Sequence, residues 1–282
     1  MTLSKKVADA FNSVLSIGVD TSAEGAESHL RAFGTELEAL AKERFGNRAF
    51  EKRGGLRLSQ MGTPCDRQFW YKVNAPELGE DLPPEVRFKF IYGDLIEASV
   101  VLTLRLGGVD VRDTQREVEL EGIVGHIDGI IDDAVIDIKS ASTYAMSKFY
   151  DGIGPHNDPF GYRVQLYSYA TALGLNKAAF IAVDKQHGRI VVDEHVVGDR
   201  EQKEIREYLR ARKEIAKSST PPPRSFSDVP DGKSGNMKLG VQCSYCAFKK
   251  ECWPGLRCFV YSNGPRFLTR VEKEPNVREG TV

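Results

Sequence analysis

Residues 125–142 read GHIDGIIDDAVIDIKSAS, and they restrict the fold more than any other stretch of the chain. Apolar residues alternate on either side of Asp132-Asp133, which predicts two antiparallel strands joined by a two-residue turn. In that register Ile131 faces Ala134, Ile130 faces Val135, and Asp128 stands opposite Asp137. Lys139 lies two residues past Asp137 and shares its face. One surface then carries two carboxylates and an ammonium. Opposed like charges destabilise a sheet, and a hard divalent cation between them removes the penalty. A solvated hairpin with a surface Asp–Lys pair is the plainer reading. Against it stands the run Val135-Ile136 and Ile138, which has the character of a buried strand, where unpaired charge is expensive.

The flanking sequence predicts an α/β domain with a mixed central sheet between helices. Apolar residues at helical spacing mark residues 3–16 and 28–45. A longer helix is expected over 84–106, ended by Gly107-Gly108. Strands follow from 109, then a helix over PFGYRVQLYSYATALGL, a hairpin turning at His187-Gly188, and a charged helix starting near 199. This gives an N-terminal helical region (1–57), a core (58–217), a Pro/Ser/Gly-rich linker (218–238), a cysteine-rich segment (239–262) and a polar tail (263–282). The formal net charge is -1, so a nucleic-acid surface has to come from local basic residues. Lys249 and Lys250, interleaved with Phe248 and Trp253, are the candidates. No signal-peptide pattern or membrane-length apolar run is present, and a cytoplasmic location with no membrane partner is expected.

Five cysteines are clustered rather than spread as a disulfide framework. Cys243, Cys246 and Cys252 form C-x2-C-x5-C. A closed metal site usually takes a fourth ligand, and the candidates are Cys258, which could close a local site, and Cys65, far upstream, which local spacing alone would not select.

Asp128 followed by Asp137-Ile138-Lys139 resembles the PD-(D/E)XK nuclease signature. Gln165 and Tyr169, one helical turn apart, resemble the Q-x-x-x-Y motif of its RecB-like exonuclease branch. Gly93 and Glu97 stand where that branch usually has G-x-x-x-H, a departure shared with lambda-type phage exonucleases. The resemblance covers roughly 58–255 and implies a restriction-endonuclease-like core and a metal-dependent deoxyribonuclease. Glu97, Asp128, Asp137 and the Ile138 carbonyl would hold Mg²⁺ or Mn²⁺, Lys139 would assist the attacking water, and Gln165 and Tyr169 would contact DNA. AddB-type and CRISPR-adaptation nucleases of this branch carry a 4Fe–4S cluster on one cysteine before the core and three after it. That implies Cys65, Cys243, Cys246 and Cys252 here, with Cys258 to spare, in a C-terminal iron–sulfur module. No G-x-x-x-x-G-K-[ST] loop is present, so ATP-driven unwinding calls for a helicase or recombination partner. The competing expectation is a non-catalytic or zinc-stabilised nucleic-acid-binding protein with the same fold.

Overall fold

The computed structural model describes residues 1–46 and 51–281; residues 47–50 of the N-terminal region and Val282 of the tail lie outside the described residues. The chain forms two compact units. One comprises Met1–Glu51, Leu56–Gly62 and Pro83–Arg212, the other Lys52–Gly55, Thr63–Leu82 and Lys213–Val282.

In the first unit, β1 (Val111–Arg112), β4 (Gly129–Ile131), β5 (Ala134–Ala141), β6 (Lys177–Asp184) and β7 (Ile190–Val196) build a mixed sheet in the order β1-β4-β5-β6-β7. Only β5 and β6 run parallel; the other neighbours are antiparallel. The hairpin β2 (Glu117–Leu120) and β3 (Ile123–His126) stands apart from this sheet. The β4–β5 register is the predicted one, with Ile130 opposite Val135 and Ile131 opposite Ala134. Asp132 opens the turn at φ 53, a left-handed conformation that Asp tolerates better than most residues.

The pleat of β5 sorts its side chains. Ala134, Ile136 and Ile138 enter an apolar core with Leu3, Val7, Val100, Leu104 and Ile181. Full burial of such aliphatic side chains contributes about 1.5–3 kcal/mol each. The helices Leu3–Asn12 and Pro84–Leu106 supply the other side of this core. The longer one ends at Gly107, whose missing Cβ leaves room for Ala10. Asp137 and Lys139 point to the opposite face, toward the helix Tyr162–Leu173, a segment buried almost all round. Phe149 of the helix Thr143–Tyr150 packs edge-on against Phe180 of β6. Among the described residues no helix is long and apolar enough to cross a membrane.

The second unit departs from the predicted linker and tail. Residues 218–238 and 263–282 supply β8 (Val229–Pro230), β9 (Met237–Lys238), β11 (Gly264–Arg270) and β12 (Glu279–Gly280). With β10 (Arg257–Tyr261) they form an antiparallel sheet in the order β12-β10-β11-β9-β8. These short polar strands are tied by side chains rather than by a long apolar run. The Asn236 carboxamide accepts from the Glu272 and Lys273 amides and donates to the Lys273 carbonyl. Asp231 pairs with Lys238 and Arg266. A small core of Tyr71, Ala75 and Phe248 packs against them, with the Tyr71 and Phe248 rings stacked at 5.2 Å.

In the first unit, Gly161 starts the helix Tyr162–Leu173 at φ 74, and a Cβ there would lie 1.9 Å from the Gly62 carbonyl oxygen. Gly161→Ala meets both a disfavoured φ and a backbone clash. It is expected to lower stability by at least about 1–3 kcal/mol, read as a drop in the urea midpoint. An unchanged midpoint would show that this approach is not needed.

Candidate active site

Three elements bring the predicted residues together. Asp128 lies just ahead of β4, and its carboxylate accepts the Ile138 amide of β5 at 2.6 Å. Asp137 is 0% exposed in the middle of β5. The Lys139 ammonium stands 2.6 Å from the buried Asp137 Oδ2 and is its ion-pair partner. The other oxygen, Oδ1, accepts from the Gln165 Nε2 at 3.1 Å. The same Nε2 donates to the Tyr169 hydroxyl at 3.2 Å, and Lys139 reaches the Gln165 Oε1 at 3.5 Å. The one-turn spacing of Gln165 and Tyr169 thus aims both at the carboxylates.

Tyr169 is 2% exposed. Its measurable role in this arrangement is to hold Gln165, while direct access of a DNA strand to its ring is closed. Glu97, on the long helix, directs its carboxylate to Gln115, which donates at 2.6 Å. His126 pairs with Glu117 across the β2–β3 hairpin at 3.7 Å, away from this set. Gln115 had no sequence signal, because it stands in an irregular loop at φ 57.

The electrostatics follow from burial. Burial drives the Asp128 carboxyl well above its usual range, and the neighbouring Asp137 and Glu97 add to it. Asp137 is raised by burial despite Lys139. Glu97 is pushed up to about 7 by burial and then by the Asp137 charge. Burial works against the charged Lys139, yet Asp137 and Asp128 outweigh it and hold the ammonium above its ordinary range. Lys139 is thus the counter-ion of two buried carboxylates.

Does this set fit a divalent cation? Mg²⁺ is bound through one or two carboxylates plus waters and substrate phosphate. Asp128 and Asp137, two adjacent carboxylates sharing one ammonium, meet that requirement. Among the described residues no three His, Cys, Asp or Glu side chains are grouped to hold one ion as they stand; the Glu97 carboxylate is engaged by Gln115, within reach of the Asp128 and Asp137 charges.

The second unit gathers the thiols. Cys65 caps the helix Asp66–Asn74, its sulfur accepting the Gln68 amide at 3.4 Å. Burial raises the Cys243 thiol, and Cys252 and Cys65 raise it further. Burial likewise pushes Cys246 up to about 11, with Cys65, Cys243 and Cys252 contributing. Cys243 and Cys246 thus both lie within charge range of Cys65 and Cys252. Cys258 does not belong with them: it is buried in β10 and responds instead to Lys249, Glu279 and Glu80. Arg224 donates two hydrogen bonds to the Cys252 carbonyl and lies over the Trp253 ring, 3.9 Å from its centre. The expectation that Lys249 faces phosphates is corrected. It is 7% exposed and its ammonium is bonded to Glu80, because a buried cation needs a partner. Lys250 is exposed.

No family model and no curated protein sequence matches the chain. Among solved structures, SSO0001 is similar at 18% identity and a TM-score of 0.47, over 77% of this chain and 95% of that one. An alkaline exonuclease from Laribacter hongkongensis is similar at 18% identity and a TM-score of 0.36, over 62% and 92%. A phage-related exonuclease from Haemophilus somnus 129PT is similar at 18% identity and a TM-score of 0.34, over 74% and 91%. Likenesses this distant carry no weight for the site, which stands on its own geometry.

Glu97 yields a pH test. Its pKa moves from 4.5 to about 7 on folding, so between these values the folded chain holds a proton that the unfolded chain has released. Its contribution to stability therefore falls as pH rises through that window. In chelator, Glu97→Gln is expected to gain melting temperature relative to the parent from pH 5 to pH 8 (about the limits of that titration). A pH-independent difference would refute the burial of this charge.

Proposed function

We propose that the protein is a metal-dependent deoxyribonuclease of the PD-(D/E)XK type, RecB-like branch, acting as an exonuclease. The observation that carries this reading is the gathering of two carboxylates, Asp128 and the fully buried Asp137, around a single ammonium, Lys139. Keeping Asp137 in an apolar strand with a second carboxylate beside it is costly, and a site that receives a cation explains the cost. Asp128 and Asp137 would hold Mg²⁺ or Mn²⁺, with the Ile138 carbonyl and Glu97 as further oxygen donors. A cation held there lowers the pKa of water and takes up charge on a phosphoryl oxygen.

The rest of the reaction belongs to the chain. Water attacks phosphorus as the ester P–O bond breaks, and the leaving oxygen is protonated. Lys139, kept protonated, donates to the oxygens that gain charge in the transition state. Gln165 fixes the Asp137 carboxylate through Oδ1 and is itself steadied by Tyr169. Lys250 is the exposed cation left for a phosphate contact in the cysteine segment. Duplex opening falls to a helicase or recombination partner, since the chain lacks a P-loop.

Asp137→Asn is expected to cut the release of label from end-labelled DNA in Mg²⁺ or Mn²⁺ by on the order of 10²-fold or more, as loss of several kcal/mol of charge stabilisation requires. Undiminished degradation by this variant, in preparations free of contaminating nuclease, removes the enzymatic reading. Single- and double-stranded substrates labelled at either end report preference and polarity.

A 4Fe–4S cluster on Cys65, Cys243, Cys246 and Cys252 is part of the same proposal. An all-thiol donor set suits iron–sulfur ligation. Ligation would close the loop from Cys65 to the three late cysteines and so constrain the unfolded chain. Protein purified without oxygen is expected to be brown and to carry iron. Cys65→Ser should lose the iron and Cys258→Ser should keep it. Zinc without iron in the parent protein would decide for the zinc-stabilised alternative.

A further inference from the structure

The first unit presents an aromatic step beside Lys139 that no part of the proposed hydrolysis uses. The Lys139 ammonium lies over the Tyr162 ring, 5.2 Å from its centre. The Phe160 ring follows at 5.3 Å, tilted by 33°. Tyr162 is anchored from behind, 6.3 Å from both Phe149 and Phe180. Phe160, in contrast, is 61% exposed.

The turn that carries Phe160 is rigid. Asp158 accepts the Tyr162 and Arg163 amides, each at 2.9 Å. Between the two rings, Gly161 takes a left-handed φ of 74 and touches the Gly62 backbone. A lone exposed phenylalanine is ordinary. A phenylalanine held out by a capped helix start, one ring away from the ring that faces the reactive lysine, is a preorganised flat surface. Folding gains nothing from leaving it in water.

We propose that Phe160 is a stacking platform for an unpaired nucleobase of the DNA strand whose phosphate lies at Lys139. This rests on the nuclease reading above and adds to it the recognition of a frayed or single-stranded end. The dimensions agree: a stacked strand advances about 3.4 Å per nucleotide, so two ring steps of this size place the base within about three nucleotides of the reacting phosphate. The contact is to a π-face, which every base has, so it selects unpaired structure and not sequence. Tyr162 acts as a positioning residue between the platform and Lys139.

The test uses the full chain and short single-stranded DNA carrying 2-aminopurine at either terminus, with Ca²⁺ in place of Mg²⁺ for binding. The parent protein and Phe160→Trp are expected to quench the fluorophore from one of the two ends. Phe160→Ala and Phe160→Leu should leave it bright and bind about 5- to 150-fold more weakly, the usual cost of losing one stacked base. An abasic nucleotide at the quenched position should erase the difference between the parent and Phe160→Ala. Equal quenching by parent and Phe160→Ala, a parent that quenches neither end, or a Phe160→Ala defect that survives on abasic DNA would each overturn the proposal. Cleavage in Mg²⁺ is scored separately on the same proteins. Quenching without cleavage by the parent sinks the nuclease reading alone, whereas cleavage with no role for Phe160 sinks the platform alone.

Discussion

An aspartate with no access to water, in the middle of a strand that is otherwise aliphatic, organises the first unit. Asp137 can sit there because Lys139 offsets its charge, because Gln165 satisfies one of its oxygens, and because the Ile138 amide absorbs part of the neighbouring Asp128 charge. Each partner arrives on a different schedule of the fold. Lys139 comes from the pleat of the same strand, Asp128 from the adjoining hairpin, and Gln165 from a helix that the sheet must already be in place to receive. The helix is pinned by a buried tyrosine and by a glycine-to-glycine backbone contact, so the carboxylate geometry is fixed by packing and not by loops. Sites carried on such rigid elements hold their side chains more accurately than sites on flexible ones.

The second unit solves a different problem. Besides its buried Phe69, Phe248, Phe259 and Leu268, it relies on specific polar ties: Asn236 closing three backbone groups, Asp231 between two cations, Arg257 between Glu274 and Glu279. Exposed ion pairs contribute little individually, so these ties set the register of short polar strands more than they stabilise them.

Much of the first unit was legible in the sequence because period-two alternation specifies strand register. Taking Asp132-Asp133 as the turn pairs Ile130 with Val135 and Ile131 with Ala134, as observed, and that pairing sets Asp128 near Asp137. Gln165 and Tyr169 could be placed for the same reason, helical spacing being as strict as strand spacing. The misses share a cause as well. Lys249 looked basic and exposed because its partner, Glu80, lies far away in sequence. Gln115, which engages Glu97, sits in a positive-φ loop that no periodicity marks. The strands of residues 263–282 carry mostly polar residues, so composition suggested a tail. Yet the Ser262-Asn263 turn between Tyr261 and Gly264 is a tight hairpin, and Asn-Gly at its end was the signal to weigh.

The mixed order of the large sheet bears on how the chain reaches this state. Ile131 and Ala134 pair across a two-residue turn, while Ala134 and Lys177, paired in parallel, are separated by a whole crossover of chain. Local pairings form early and distant ones wait on loop closure. The β4–β5 hairpin therefore assembles its two aspartates while they are still wet, where the repulsion is weak and screened. The energetic cost of burying them falls at the later step, when β6 and the Gln165 helix dock and exclude water. Burial of the acidic pair is in this sense tied to the long-range contacts of the sheet, those with β6 and the Gln165 helix, and not to the hairpin that carries it.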